Sequence, residues 1–169
     1  MTTLYLVRHG ETIDNANQIL QGQTPGKLNE NGIKQAQALA QELKDKHIDA
    51  FVSSDLKRAM ETCEILAAPH GMTITTTPLL RERDWGGFTG MFIPDLKDKP
   101  WPSDVETLEE MKNRAQLFLQ WISKNYDGKT VLAVGHGIIN KTIRSVYTGK
   151  PMNEIQKMAN ADTIVLKVI

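Results

Sequence analysis

The sequence predicts an α/β fold, a three-layer sandwich with a mainly parallel central sheet and helices on both faces. Three observations carry this. Short apolar runs at Leu4 to Val7, Ala50 to Val52 and Val131 to Val134 read as buried strands, the last bounded by Gly128 and Gly135. Amphipathic helical patterns separate them. The two kinds of segment alternate along the chain, which favours parallel strands joined by helical crossovers.

The first helix is read on Ile33, Ala36, Leu39, Ala40 and Leu43, with Asn29 placed to cap its start. The second runs from Leu56 to Ala68. A third, from Thr107 to Ser123, rests on Leu108, Met111, Ala115, Phe118 and Ile122, and a fourth, from Ile138 to Thr148, on Ile139, Ile143 and Val146. Thr163 to Val168 reads as a final strand, at an edge where it could serve a dimer. Asp84 to Ser103 holds Gly86, Gly87, Gly90, Pro94, Pro100 and Pro102 and is expected to be irregular. Residues 84–106 are therefore expected to form a short lid-like segment on a single domain spanning 1–169, since long irregular stretches in compact domains are usually functional.

A chain of 169 residues suits one domain. Lys plus Arg equal Asp plus Glu at 20 each, so no overall field draws the protein to nucleic acid or to an anionic membrane. Any anion site must be local. Cys63, the single cysteine, excludes an internal disulfide, and Met1-Thr2-Thr3 runs into a strand without a signal-like segment. A cytoplasmic location is expected. No apolar run approaches the roughly 20 residues that span a bilayer.

In open parallel sheets, ligands bind beyond the carboxyl ends of the strands. The first strand delivers Arg8-His9-Gly10 there. The strand at Val131 to Val134 delivers Gly135-His136-Gly137 just before a helix, whose free N–H groups and dipole favour an anion. Ser53-Ser54-Asp55-Leu56-Lys57-Arg58 follows the strand at Ala50 to Val52 and puts Arg58 in the first turn of a helix. Flanking glycines allow close backbone approach, and the arginine fork matches phosphate oxygens. Phosphate is the ligand these residues suggest.

Leu6-Val7-Arg8-His9-Gly10-Glu11-Thr12 resembles the signature of the histidine phosphatase superfamily, which includes the cofactor-dependent phosphoglycerate mutases and many small phosphatases. The resemblance continues in order through Asn15, Gln21-Gly22, Leu28-Asn29-Glu30-Asn31-Gly32, Ser53 to Ala59, Leu80-Arg81-Glu82, Gly86 and Gly135-His136-Gly137. It covers nearly the whole chain and implies a phosphoglycerate mutase-like fold. It also implies a phosphomonoesterase acting on a small phosphorylated metabolite, with His9 as the nucleophile that forms a phosphohistidine. Arg8, Arg58 and His136 would surround the transferring phosphoryl group, and nearby cations would help to keep His9 unprotonated. A backbone acceptor on one ring nitrogen would fix its tautomer. Glu82 falls at the general acid position, and Asn15, Gln21 and Gly137 would be further substrate contacts.

Other readings compete at several positions. By composition, Arg81-Glu82-Arg83-Asp84 is an exposed charge run in which Asp84 is a rival acid; the spacing to Gly86 favours Glu82. Arg58 beside Lys57 would otherwise read as a solvated helix residue. His47 and His70 are expected at the surface, and Cys63 in the core with Met60 and Leu66. No arginine follows Cys63 closely enough for a cysteine phosphatase. Gly128-Lys129-Thr130 has Ser123 where a phosphate-binding loop needs its first glycine. No His, Asp or Cys cluster suggests a metal, so phosphoryl transfer without metal or other cofactor is expected.

Between Glu82 and Thr107 the only cations are Arg83, Lys97 and Lys99, against Asp84, Asp95, Asp98, Asp104 and Glu106. This reads as a poor cradle for a doubly anionic acid, and favours a phosphatase over the mutase alternative. A mutase must also shield its phosphohistidine from water, which a short lid does less well. Trp85, Phe88, Phe92 and Trp101 could close over an apolar leaving group or pack the lid onto the core. A nucleoside-like or a sugar phosphate would suit. A non-catalytic phospho-ligand binding protein would be marked by loss of the nucleophile or the acid, and both are present. One departure from the family pattern stands out: Gln23-Thr24-Pro25-Gly26-Lys27 rebuilds the turn after Gln21-Gly22, which puts contacts from Gln23 and Thr24 in doubt. The expected partner is a small-molecule phosphomonoester, with no nucleic acid or membrane, and the chain is expected to be a monomer or a homodimer.

Overall fold

Apolar residues alternate along three central strands, and each alternate residue faces a different layer. A computed structural model describes residues 1–169. Strands β1 (Thr2–Arg8), β2 (Ala50–Ser54), β3 (Ile74–Thr77), β4 (Thr130–Gly135) and β5 (Thr163–Val168) form one sheet in the order β3-β2-β4-β1-β5. All neighbours are parallel except β5, which runs antiparallel to β1 at the edge. Leu4, Leu6, Val52 and Ala133 face one side, with Met111, Phe118 and Ile122 of α4 (Leu108–Asn125) and Ile139 and Ile143 of α5 (Gly137–Thr148). Val7, Phe51, Leu132 and Val134 face the other, with Leu39 and Leu43 of α2 (Glu30–Leu43) and Cys63 and Leu66 of α3 (Lys57–Ala67). A four-residue α1 (Ile13–Ala16) follows β1.

The expected helices are present and their caps explain their starts. The Asn29 side chain accepts from the Gly32 N–H at 2.8 Å, and Thr107 does the same for Glu110 at 3.1 Å. Two apolar positions read as core are instead exposed, Ile33 and Leu108, because each sits in the first turn of its helix, beyond the sheet's reach. Gly32 takes the inward place of Ile33. Strand β3 carries no apolar run in Ile74-Thr75-Thr76-Thr77, since it is an edge strand with two exposed threonines.

Residues 84–106 contain only two short 3-10 turns, Gly86–Phe88 and Ile93–Leu96. The segment is tied to the stretch after α1: Leu20 N–H donates to Met91 O at 2.9 Å, Gly90 N–H to Leu20 O at 2.7 Å and Ile93 N–H to Gln18 O at 2.8 Å. Phe88 is buried, whereas Phe92 and Trp101 are largely exposed. Trp101 packs edge-on to Trp85 with ring centroids 5.3 Å apart, and the Arg83 guanidinium lies about equally close to both rings, at 4.9 and 5.1 Å. His70, expected at the surface, is half-buried with its ring tilted against Phe51 at 5.1 Å, because the turn after α3 folds back over β2. His47 is exposed and bonded to Asp49, and Cys63 is fully buried.

Gly10 and Gly32 bring the loop after β1 against the start of α2. A Cβ on Gly32 would lie 2.0 Å from the backbone oxygen of Glu11, and one on Gly10 would lie 2.5 Å from that of Gly32. Helix propensity alone makes Gly32→Ala stabilising by about 1 kcal/mol. The backbone clash predicts the opposite, a loss of about 1–3 kcal/mol in urea unfolding. A stability equal to or above that of the wild type would show that this contact does not constrain the loop.

Candidate active site

The carboxyl ends of β1, β2 and β4, the 3-10 turn before Arg81 and the start of α5 surround one cavity of about 200 Å³. Arg8, His9, Asn15, Gln21, Gly22, Arg58, Glu82 and Gly137 line it, together with Trp85, Ile93, Ile138 and Lys157. His136 is fully buried immediately behind, its ring 5.0 Å from that of His9 and edge-on to it. The eight positions singled out in the sequence, Arg8, His9, Asn15, Gln21, Arg58, Glu82, His136 and Gly137, therefore converge. Asp84 does not: it is exposed and accepts from the Gly86 N–H.

His9 is 2% exposed, and its Nδ1 lies 2.7 Å from the carbonyl oxygen of Gly10. A carbonyl only accepts, so Nδ1 carries the proton and Nε2 is left as a lone pair without a protein partner. The loop that holds the ring is fixed from three sides. Gly10 N–H donates to Thr62 Oγ1 at 3.1 Å, Asn160 Nδ2 donates to the His9 carbonyl at 3.1 Å, and Asn140 Nδ2 donates to Val7 O at 3.0 Å. His136 Nε2 pairs with Ser54 Oγ at 2.9 Å, while its buried Nδ1 has no protein partner.

Arg58 is 1% exposed. Its guanidinium donates to the carbonyl oxygens of Thr24 and Gly22, the latter at 2.8 Å. The rebuilt turn after Gln21-Gly22 therefore does contact the site, through the main-chain oxygen of Thr24, which any residue at that position would supply. Gln23 also reaches it, donating from Nε2 to Glu82 O at 3.2 Å. Arg8 donates to Met158 O at 2.8 Å. Buried polar atoms without partners cluster here: Arg8 Nε, Arg58 Nε and Gln21 Oε1, besides His136 Nδ1. Unsatisfied buried donors are costly, and such a cluster is the mark of a site built for a polar ligand.

Glu82 is part of the site and not of an exposed charge run. Its carboxylate accepts from the N–H groups of Ile138 and Ile139, both at 3.0 Å, at the start of α5, and from Arg83 N–H at 2.9 Å. Arg114 holds the backbone beneath it, donating to the carbonyl oxygens of Leu79 and Arg81 while paired with Glu106 at 2.9 Å. Of the four lid aromatics, Trp85 alone lines the cavity. Sequence reading did not find Ser54, Thr62, Asn140 and Asn160 as supports, nor Lys157 as a lining residue. The 58/62 spacing on one helix face was the only available signal, for Thr62.

Burial, more than neighbouring charge, pushes the His9 pKa down to about 3; Arg58 and Arg8 lower it further, and the Gly10 carbonyl opposes them. His136 is held well below its ordinary value, again first by burial and then by Arg58. Arg58 is lowered by burial to about 10, so it stays charged at neutral pH. Both imidazoles refuse a proton in the folded protein that they accept near pH 6.5 when unfolded. The unfolded state thus binds more protons below that pH, and stability falls as the medium is acidified, by up to about 1.4 kcal/mol per pH unit for each histidine. Thermal denaturation between pH 7 and 4 is expected to show this decline, with a shallower slope in His9→Gln. Equal slopes would mean that His9 protonates normally in the fold.

Over residues 4–169 the sequence matches the family described as the histidine phosphatase superfamily, branch 1. It is 36% identical over 166 residues to the uncharacterized phosphatase PhoE of Bacillus subtilis, covering 95% of this chain and 86% of that protein. It is 31% identical over 172 residues to the probable phosphoglycerate mutase GpmB of Yersinia pestis, covering 94% and 80%. Among solved structures, YhfR of Bacillus stearothermophilus superposes with a TM-score of 0.89 at 29% identity, covering 99% of this chain and 91% of that one. A mycobacterial glucosyl-3-phosphoglycerate phosphatase in complex with VO3 gives a TM-score of 0.90 at 25% identity, covering 98% and 92%. Sequence, fold and site agree: the chain belongs to the histidine phosphatase superfamily.

Proposed function

We propose that the protein is a phosphomonoester hydrolase of the histidine acid phosphatase type, acting on a small phosphorylated metabolite through a phosphohistidine on His9. The observation that carries this reading is the free Nε2 of a neutral, buried His9 in one cavity with Arg8, Arg58 and Glu82. An uncharged imidazole has the lone pair that attack on phosphorus needs. Arg8 and Arg58, immobilised by backbone carbonyls, stabilise charge on the equatorial oxygens without reorganising. His136 Nδ1 is a further buried donor for the same oxygens once Ser54 Oγ–H bonds to Nε2. Asn15, Gln21 and Gly137 contact the substrate from the cavity wall.

The step forms a bond from Nε2 to phosphorus and breaks the ester P–O bond. Glu82, in its protonated form, gives a proton to the departing oxygen. As a carboxylate it then takes a proton from water, which attacks phosphorus, breaks the P–N bond and returns inorganic phosphate and neutral His9. No proton, electron or co-reactant is left over. The phosphatases among the full-length relatives support hydrolysis over mutase transfer. Equal numbers of acidic and basic residues fit a small-molecule partner and not a nucleic acid or a membrane, and the single free Cys63 fits a cytoplasmic location. No helix is long and apolar enough to cross a membrane.

Glu82→Gln tests the assignment of the acid. On an alkyl phosphate such as glycerol 3-phosphate, kcat/KM is expected to fall by about 100- to 10,000-fold. On p-nitrophenyl phosphate, whose leaving group departs without a proton, the loss is expected to be far smaller. Equal losses on both would remove Glu82 from the proton-transfer role.

A further inference from the structure

We propose that the substrate's leaving group carries a carboxylate and that Lys157, at the rim of the cavity, is the side chain that recognises it. The inference rests on the hydrolase reading of the site and goes beyond it, to the class of ester taken.

The cavity has four charged side chains, the cations Arg8, Arg58 and Lys157 and the single anion Glu82. Three of them are already committed. Arg8 and Arg58 are tethered to Met158, Thr24 and Gly22 carbonyls, and Glu82 is held by three backbone N–H groups. Lys157 differs in having no hydrogen bond or ion pair with the protein, although the chain on either side of it is anchored. Met158, next in sequence, is buried and accepts from Arg8, and Gln156, just before, accepts from Arg144 through its carbonyl oxygen. The backbone of Lys157 is thus placed while its ammonium is free.

In-line transfer fixes where the leaving group goes. The departing oxygen lies on the side of phosphorus opposite Nε2, and His9 is buried at the floor while Lys157 is exposed at the rim. The leaving group therefore points out toward the rim, where Lys157 stands as the one cation that no protein group holds. Partial withdrawal of the ammonium from water at the cavity mouth and the nearby Arg8 and Lys141 lower the Lys157 pKa, with Glu82 opposing, so the ammonium stands in surroundings that an added anion relieves. The two arginines serve a phosphoryl dianion, and one ammonium matches one further negative charge, hence a carboxylate. The small cavity limits what is enclosed to a leaving group of a few carbons. The count of lid cations between Glu82 and Thr107 overlooked this group because Lys157 comes from the far end of the chain, just before β5.

Matched esters that differ only at the acid test this. The pairs are 3-phosphoglycerate with glycerol 3-phosphate, and phosphoserine with phosphoethanolamine. The wild type is expected to favour the carboxylate member of at least one pair in kcat/KM by about 10- to 100-fold, the value of one charged hydrogen bond. Lys157→Gln is expected to bring that ratio near one, and Lys157→Arg to retain it. A wild-type ratio at or below one in both pairs overturns the proposal, as does an equal loss on both members in Lys157→Gln, which would make Lys157 a phosphate ligand. Turnover of p-nitrophenyl phosphate in the same assays shows whether the hydrolase reading stands by itself. Calorimetric binding of each pair to His9→Ala gives the carboxylate preference without turnover, so the two failures are told apart.

Discussion

Arg58 sets the terms for the rest of the site, because a guanidinium that is almost wholly removed from water must have its donors met by the protein or by a ligand. The turn from Gln21 to Gly26 answers that demand with the carbonyl oxygens of Gly22 and Thr24, and Gly26 leaves room for the arginine stem: a Cβ there would meet Arg58 Cδ at 2.8 Å. Nε remains without a partner, as does Nε of Arg8. Two cations held with spare donors beside His9 make a space that a phosphoryl group completes. They also add to the burial that keeps His9 neutral. Binding and nucleophilicity thus have one structural cause.

Glu82 shows how a helix terminus can be used twice over. The start of α5 was expected to receive the anionic ligand directly, and in the structure its second and third N–H groups receive Glu82 instead. Those bonds hold the carboxylate on the cavity wall, where the Coulomb fields of Arg8 and Arg58 both reach it. The phosphoryl group is left to the arginines and histidines. Arg114 and Glu106 form the floor under this arrangement and join α4 to the base of residues 84–106.

The central strands, the four long helices and the strand-end positions of His9, Arg58 and His136 were legible because periodicity and burial speak through local sequence. Strand β3 was not, since an edge strand of threonines needs no apolar run. Neither was Lys157, which reaches the cavity from an irregular stretch between α5 and β5 that has no periodicity and no motif. Asn160 belongs to the same stretch and supports His9 from 151 positions away. The rebuilt turn misled in a different way: its side chains departed from the family pattern, yet it meets the site through the Thr24 carbonyl and the Gln23 side chain. Lid aromatics were legible as a group and not one by one, because which ring lines the cavity depends on Arg83 holding Trp85 and Trp101 together.

Every step of the proposed hydrolysis passes through Nε2 of His9, which accepts the phosphoryl group. Rapid quenching of the enzyme with a radiolabelled phosphomonoester it turns over, followed by peptide mapping, tests this directly. The expected result is a label on the peptide containing His9, stable in base and lost in acid as a phosphoramidate is, and absent from His9→Ala. Turnover with no such label under single-turnover conditions, or a label on another residue, would contradict it.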